Sequence, residues 1–210
     1  GIDPEQITLG DPTGMIPNYY WNMLHSEFPE VRFLDNFGGS GRYRSEFSDV
    51  PIYWSTPGAD SKLADYLPLS FAQADYIINF AVLKGHSAGV TLCAKNHYGS
   101  LLRCPDGYLR DAGYLDYYNL HQSLPNANWA PGMGKYRALV DLMGHPELGG
   151  KTFLYLVDGL FGGYYWDARP YKWQMEPFGD ANSPDWPSSL FASLDPVAID
   201  SVAYDFLLEE

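Results

Sequence analysis

An α/β fold is what this sequence predicts: a mainly parallel sheet flanked by helices, with long aromatic-rich loops, in a single domain over residues 1–210. Short apolar runs alternate with amphipathic stretches, the pattern of successive βα units. The runs are short and bounded by Gly, Pro, Asp or Asn, as strands are. Two segments lose all periodicity and fill with Gly, Pro, Asn, Asp and aromatic residues, which marks them as long loops.

Taken in order, QITLG is the first strand, residues 17–28 form a helix, and VRFLD is the second strand. GGSG at residues 38–41 is a flexible loop. DYIINFAVL is a buried strand, and a helix opens near Ser87 and ends before Gly99. Residues 101–134 are the first long loop. Tyr136, Leu139, Val140 and Met143 follow the i, i+3, i+4, i+7 rule of an amphipathic helix. TFLYLVD is the next strand, residues 161–187 the second long loop, and SLFASLD the last strand. Ile199, Val202, Ala203 and Phe206 then repeat the helical spacing. That helix is still periodic at Glu210 and the chain opens without Met, so it reads as a piece of a longer protein.

Composition narrows the function classes. A formal charge of −13 argues against nucleic acid as a partner, because a phosphate-backbone binder needs clustered Lys and Arg. No 18-residue apolar run exists, so no membrane span is expected. Cys93 and Cys104 form neither a CxxC pair nor a four-ligand set, so no iron–sulfur cluster or structural zinc is expected in this chain. They could be bridged outside a cell, but Cys93 sits among apolar positions, where a buried free thiol is the commoner outcome. The 17 Tyr and 6 Trp, with few Lys, suit an exported protein, periplasmic or extracellular, by compositional association.

Ligands in an open parallel sheet bind beyond the carboxyl ends of the strands. Each strand run leads into an ionisable side chain there: Asp11, Asp35, Lys84 with His86, Asp158, and Asp195. Singly, each has a structural explanation. Asp195 before Pro196 is a helix N-cap first and a site residue second, and Asp158-Gly159 and Asp11-Pro12 are turn dipeptides. Together they would line one rim. In KGHSAGVTLCAKNHYG, a helix over residues 88–98 would put Thr91, Lys95 and Tyr98 on one face and His97 on the apolar one. Its N-terminus, with Lys84 and Lys95, would hold a carboxylate or phosphate. His86 leaves the buried strand directly and is the candidate for acid/base duty, whereas His97 is the candidate core histidine. Asp11, His86 and Asp158 are the weaker candidate for a divalent metal. No GxSxG, Walker or GxGxxG motif is present.

Three blocks carry a family resemblance: ADYIINFAVLKGHSAGVTLCAKNHYGSL, LVDLMGHPELGGKTFLYLVDGLFGGY and WPSSLFASLDPVAIDSVAYDFL. With Lys-x-His, Lys-Asn-x-x-Gly, Asp-Gly and Asp-Pro-x-Ala-x-Asp in order, the chain resembles a bacterial and archaeal family of domains of unknown function, number three hundred sixty-two. The matching elements are Lys84, His86, Lys95, Asn96, Asp158, Asp195 and Asp200. The resemblance implies no settled reaction. Some members resemble proteins with an appended ferredoxin-type domain or a twin-arginine leader, and neither element is visible here. Members also tend to have a further strand and helix before the segment matching GIDPEQITLGD, which implies a missing N-terminal segment.

The leading expectation is an enzyme-like domain that binds a small anionic molecule at the strand ends. Lys84, His86 and Asp158 are the candidate catalytic groups, with Lys95, Asn96, Thr91, Tyr98 and Asp195 as ligand contacts. The reaction classes it suits are metal-assisted hydrolysis and proton transfer. The competing expectation is a secreted, non-catalytic binding module for glycan or protein, with Trp129, Trp166, Trp173 and Trp186 as a stacking surface. A third is a site completed by the missing segment or a partner subunit.

Overall fold

A computed structural model of the chain describes residues 1–55, 64–86, 89–102, 138–165 and 167–210. All five strand runs form strands, and the α/β class holds. The elements fall into two compact units: Gly1–Ala74 with Tyr98–Leu120, and Asp75–His97 with His121–Glu210.

In the first unit, β1 (Thr8–Asp11) leads through α1 (Asn18–Glu27) to β2 (Arg32–Asp35), which runs parallel to it with Asp11 opposite Asp35. The helix occupies the span expected for it. A parallel pair needs such a crossover, because both strands must start from the same end. β3 (Tyr43–Arg44) joins the other side of β2, again parallel, with Arg44 opposite Asp35. β4 (Phe47–Tyr53) and β5 (Ala64–Pro68) make a separate antiparallel pair, and α2 (Leu69–Ala72) follows. Phe33, Leu34, Ile52 and Leu67 are buried in this unit.

Asp35 is its polar hub. The carboxylate accepts N–H bonds from Phe37 at 3.0 Å, Gly38 at 2.7 Å and Ile16 at 3.1 Å, and Arg42 Nε stands 4.0 Å away. Arg42 also donates to Ile16 O at 2.7 Å and lies over the Trp21 ring at 5.2 Å. The loop between β2 and β3 is therefore a tightly held turn. Its four residues Gly38, Gly39, Ser40 and Gly41 all have positive φ, the region in which glycine alone is unstrained.

In the second unit, β6 (Ile77–His86), β7 (Gly89–Thr91), β8 (Thr152–Gly163) and β9 (Ser189–Ser193) form a sheet in the order β7-β6-β8-β9. Only β6 and β8 are parallel. The mainly parallel expectation thus holds for the three-stranded sheet but not here, for a connectivity reason. β7 begins three residues after β6 ends, too near for a crossover, so the chain doubles back as a hairpin. β9 is antiparallel to β8.

Among the described residues, the α-helices of this unit are α3 (Cys93–Asn96), α4 (Ala138–Gly144) and α5 (Pro196–Glu209), and a 3₁₀ turn over His97–Ser100 follows α3 in the chain. The alternation along β6 buries Ile77, Asn79, Ala81 and Leu83. Ala81 and Leu83 pack with Tyr155 and Val157 of β8, Cys93 of α3, and Ile199 and Ala203 of α5. Phe206 joins this core and Val202 points outward, so the helical stripe of α5 is one residue narrower than its spacing suggested. In α4, Leu142 is buried and Met143 packs on the core, while Val140 is exposed. Tyr136 lies outside the described residues, as do Cys104, Trp129, Trp166 and most of the expected 101–134 loop.

The helix expected over residues 88–98 is corrected. Gly89 has φ +111, Val90 and Thr91 lie in β7, and Leu92 is extended at φ −134, leaving a helix of four residues. β-Branched residues opposite an existing strand gain more from pairing than from a helical turn.

Candidate functional site

The hairpin places Lys84 opposite Thr91 and His86 opposite Gly89, while the other edge of β6 pairs Lys84 with Gly163 of β8. The strands approach closely enough that a side chain at Gly85 would collide with Tyr164 O. Lys84 thus sits on a sheet position flanked by strands on both sides rather than on a free loop.

Lys95, in α3, is half-buried and its ammonium is held below its ordinary pKa, first by burial and then by the charge of Lys84. Two cations therefore stand near each other in a chain whose net charge is −13. Asn96, beside Lys95, donates from Nδ2 to Asn79 Oδ1 at 2.9 Å, and Asn79 donates to Cys93 O at 2.8 Å. This amide chain ties α3 to the buried face of β6 and fixes where Lys95 starts from.

The N-terminus of α3 is not open to an outside anion. Asp200 of α5 accepts the Cys93 N–H at 2.7 Å and the Ala94 N–H at 2.9 Å. Burial pushes the Asp200 carboxyl above its ordinary pKa, while those two bonds pull the other way. The anion expected at this helix start is supplied by the protein's own side chain. Burial pushes the Cys93 thiol far upward, with the Asp200 carboxylate adding to it, and Cys93 is a free, buried cysteine.

Other predicted residues are distributed as follows. Asp158 pairs with Val82 within β8, not at its end, and its Oδ1 accepts the Leu160 N–H at 2.9 Å. An irregularity in β8 then carries the chain to Gly163 beside Lys84. Since Val82 and Lys84 are two residues apart on β6, Asp158 shares their sheet face. Asp195 is corrected as a rim residue: the antiparallel run of β9 carries it to the end where β8 begins, and Tyr155 pairs with Ser193 there. It caps α5, accepting from Val197 at 2.8 Å and Ala198 at 3.0 Å.

Tyr98 is buried and belongs to the first unit, as does Asp11, so neither is described with Lys84. Thr13 Oγ1 donates to the Leu101 carbonyl in that unit. Asp11 accepts from Gly14 N at 3.0 Å, and its carboxyl is raised above its ordinary pKa by crowding of protein around it and, least, by Asp35. Among the described residues, no group of three His, Cys, Asp or Glu side chains is gathered as a metal site would be. His97 is buried, with its imidazole pushed down to about 4 by burial, as a core histidine should be.

Of the four tryptophans proposed to stack on a glycan, Trp173 is corrected: it is 1% exposed, and packs edge-on against Phe178 at 5.3 Å in the core. Trp186 meets Phe161 edge-on at 5.1 Å. Sequence reasoning missed Asn79, an amide within an apolar strand, and the capping role of Asp200. A polar residue at a buried phase of the β6 alternation was the available signal for the first. No local signal marks the second, since its partners are 106 and 107 residues away.

No described helix is long and apolar enough to cross a membrane. A family model described as Domain of unknown function (DUF362) matches residues 45–205, most of the chain. The chain belongs to that family. No curated protein and no solved structure matches it.

Proposed function

We propose that this DUF362 domain binds a small anionic ligand, of carboxylate or phosphate type, at the edge formed by β6, β7 and α3. Lys84 and Lys95 anchor it. The observation that carries this reading is that the Asn96–Asn79 bond ties α3 to β6, so that Lys95 and the strand-end Lys84 share one edge of a strongly acidic chain. An anion contacted by both ammonium groups gains from each charge, more so where burial lowers the local dielectric. Thr91, directly across from Lys84, supplies a hydroxyl to the same edge.

His86, two pairs further along the hairpin, would exchange a proton with the bound molecule, and proton transfer is the reaction class this reading favours. A metal-assisted route draws less support, because Asp158 accepts the Leu160 N–H and no group of three His, Cys, Asp or Glu side chains is gathered among the described residues.

Inorganic phosphate is the first probe. It should raise the thermal midpoint of the protein above that in sodium chloride of matched ionic strength, and Lys84→Met or Lys95→Met should remove the difference. Equal midpoints in phosphate and chloride, repeated with acetate and malonate, would defeat the reading.

A further inference from the structure

The four-stranded sheet of the second unit packs against α3 and α5 on one face, with Met143 of α4 on the same core, and is apolar on the other as well. Outward positions on β6 are Ile78, Phe80 and Val82, each between 43 and 54% exposed. On β8 they are Leu154, Leu156, Asp158 and Leu160, and on β9 they are Leu190 and Ala192. Register aligns these side chains in rungs: Ile78 beside Leu154, then Phe80, Leu156 and Ala192, then Val82, Asp158 and Leu190. Asp158 is the one charged group among them, and Lys84 and His86 continue the same phase of β6 only at its far end, beyond Val82. A sheet face meant for water alternates polar side chains into these positions, and this one does not.

We infer that this face is the contact surface between two copies of the chain. Three strands in register make a broad pleated surface, whereas small-molecule sites are concave. Such a surface is matched by another sheet laid against it about 10 Å away. Five of its side chains, Ile78, Phe80, Val82, Leu160 and Leu190, are 43 to 60% exposed. At about 100 Å² for each half-exposed aliphatic or aromatic side chain, they offer on the order of 500 Å² of apolar surface. Two copies then remove on the order of 1,000 Å² from water, where specific protein interfaces begin.

A two-fold axis near Phe80 makes the contact self-complementary and sets the two Asp158 carboxylates at opposite ends, so like charges do not meet. The net charge of each copy opposes association at a distance, and salt screens that term while leaving apolar burial intact. The dimer therefore tightens with added sodium chloride.

Light scattering across a dilution series tests this. The protein should show twice the monomer mass, with more dimer at higher salt. Phe80→Glu and Leu190→Glu, on different strands, should each give monomers of unchanged circular dichroism, while Tyr53→Glu, on an exposed tyrosine of β4, stays dimeric. Either outward variant suffices should the other fail to fold. A monomeric wild-type protein, an assembly that grows without limit, or a dimer indifferent to both substitutions overturns the inference. A monomer whose Phe80 strand is nonetheless slow to exchange amide hydrogens would assign the face to another part of the same chain.

Discussion

Asp200 joins the last helix to the start of α3 through two charge-assisted bonds, to Cys93 N and Ala94 N. Hydrogen bonds to a charged group contribute about 1.5–3 kcal/mol each when made, and orphaned N–H groups carry a further cost. Asp200→Ala should therefore lower unfolding stability by about 2–4 kcal/mol in urea titrations. Asp200→Asn, which keeps one oxygen acceptor, should lose less. An Ala variant as stable as the parent would show that water replaces the carboxylate at no cost. At this scale the sequence was legible in residue type and silent on partners. It drew attention to Lys84, Lys95 and Asp200, but the cap depends on a contact across more than a hundred residues, which no local spacing encodes.

The helix α5 shows an element that reads itself. Asp195 accepts from Val197 and Ala198, Pro196 opens the first turn, and Ile199, Ala203 and Phe206 face the core, all inferable from the order of residues. Asp195→Ala should cost about 1 kcal/mol of stability, as N-cap removals do. Because Asp195 lies at the far end of the sheet from Lys84, phosphate should shift the midpoint of this variant as it does for the parent. The segment after Lys84 shows the opposite case. Gly89, Val90 and Thr91 carry both helix-compatible spacing and strand propensity, and the edge of β6 settled the choice by offering unpaired backbone groups.

For the whole molecule, acid stability gathers these local terms. Burial lowers the pKa of His97 to about 4 in the fold, against 6.5 for a solvated imidazole. A folded state that resists protonation is stabilised above the unfolded pKa, and that stability drains away as pH falls from about 6.5 towards 4, by roughly 3 kcal/mol in all. Asp11 and Asp200 act in the opposite sense: both carboxyls are raised above 3.8, so their contribution is largest in acid and fades as pH rises through their folded values. Urea midpoints measured between pH 7 and 4 should decline, and His97→Gln should flatten that decline even if it lowers stability throughout. An unchanged slope would mean that His97 protonates without opening the core. What the sequence determined by itself was the α/β class, the position of all five strand runs, and the start of α5, because apolar period, turn residues and caps are local properties. Only the tertiary structure decided strand direction in the four-stranded sheet, the end to which Asp195 points, and the nearness of Lys84 to Lys95. Those depend on which backbone groups find one another across the chain, and side-chain order along a strand does not specify them.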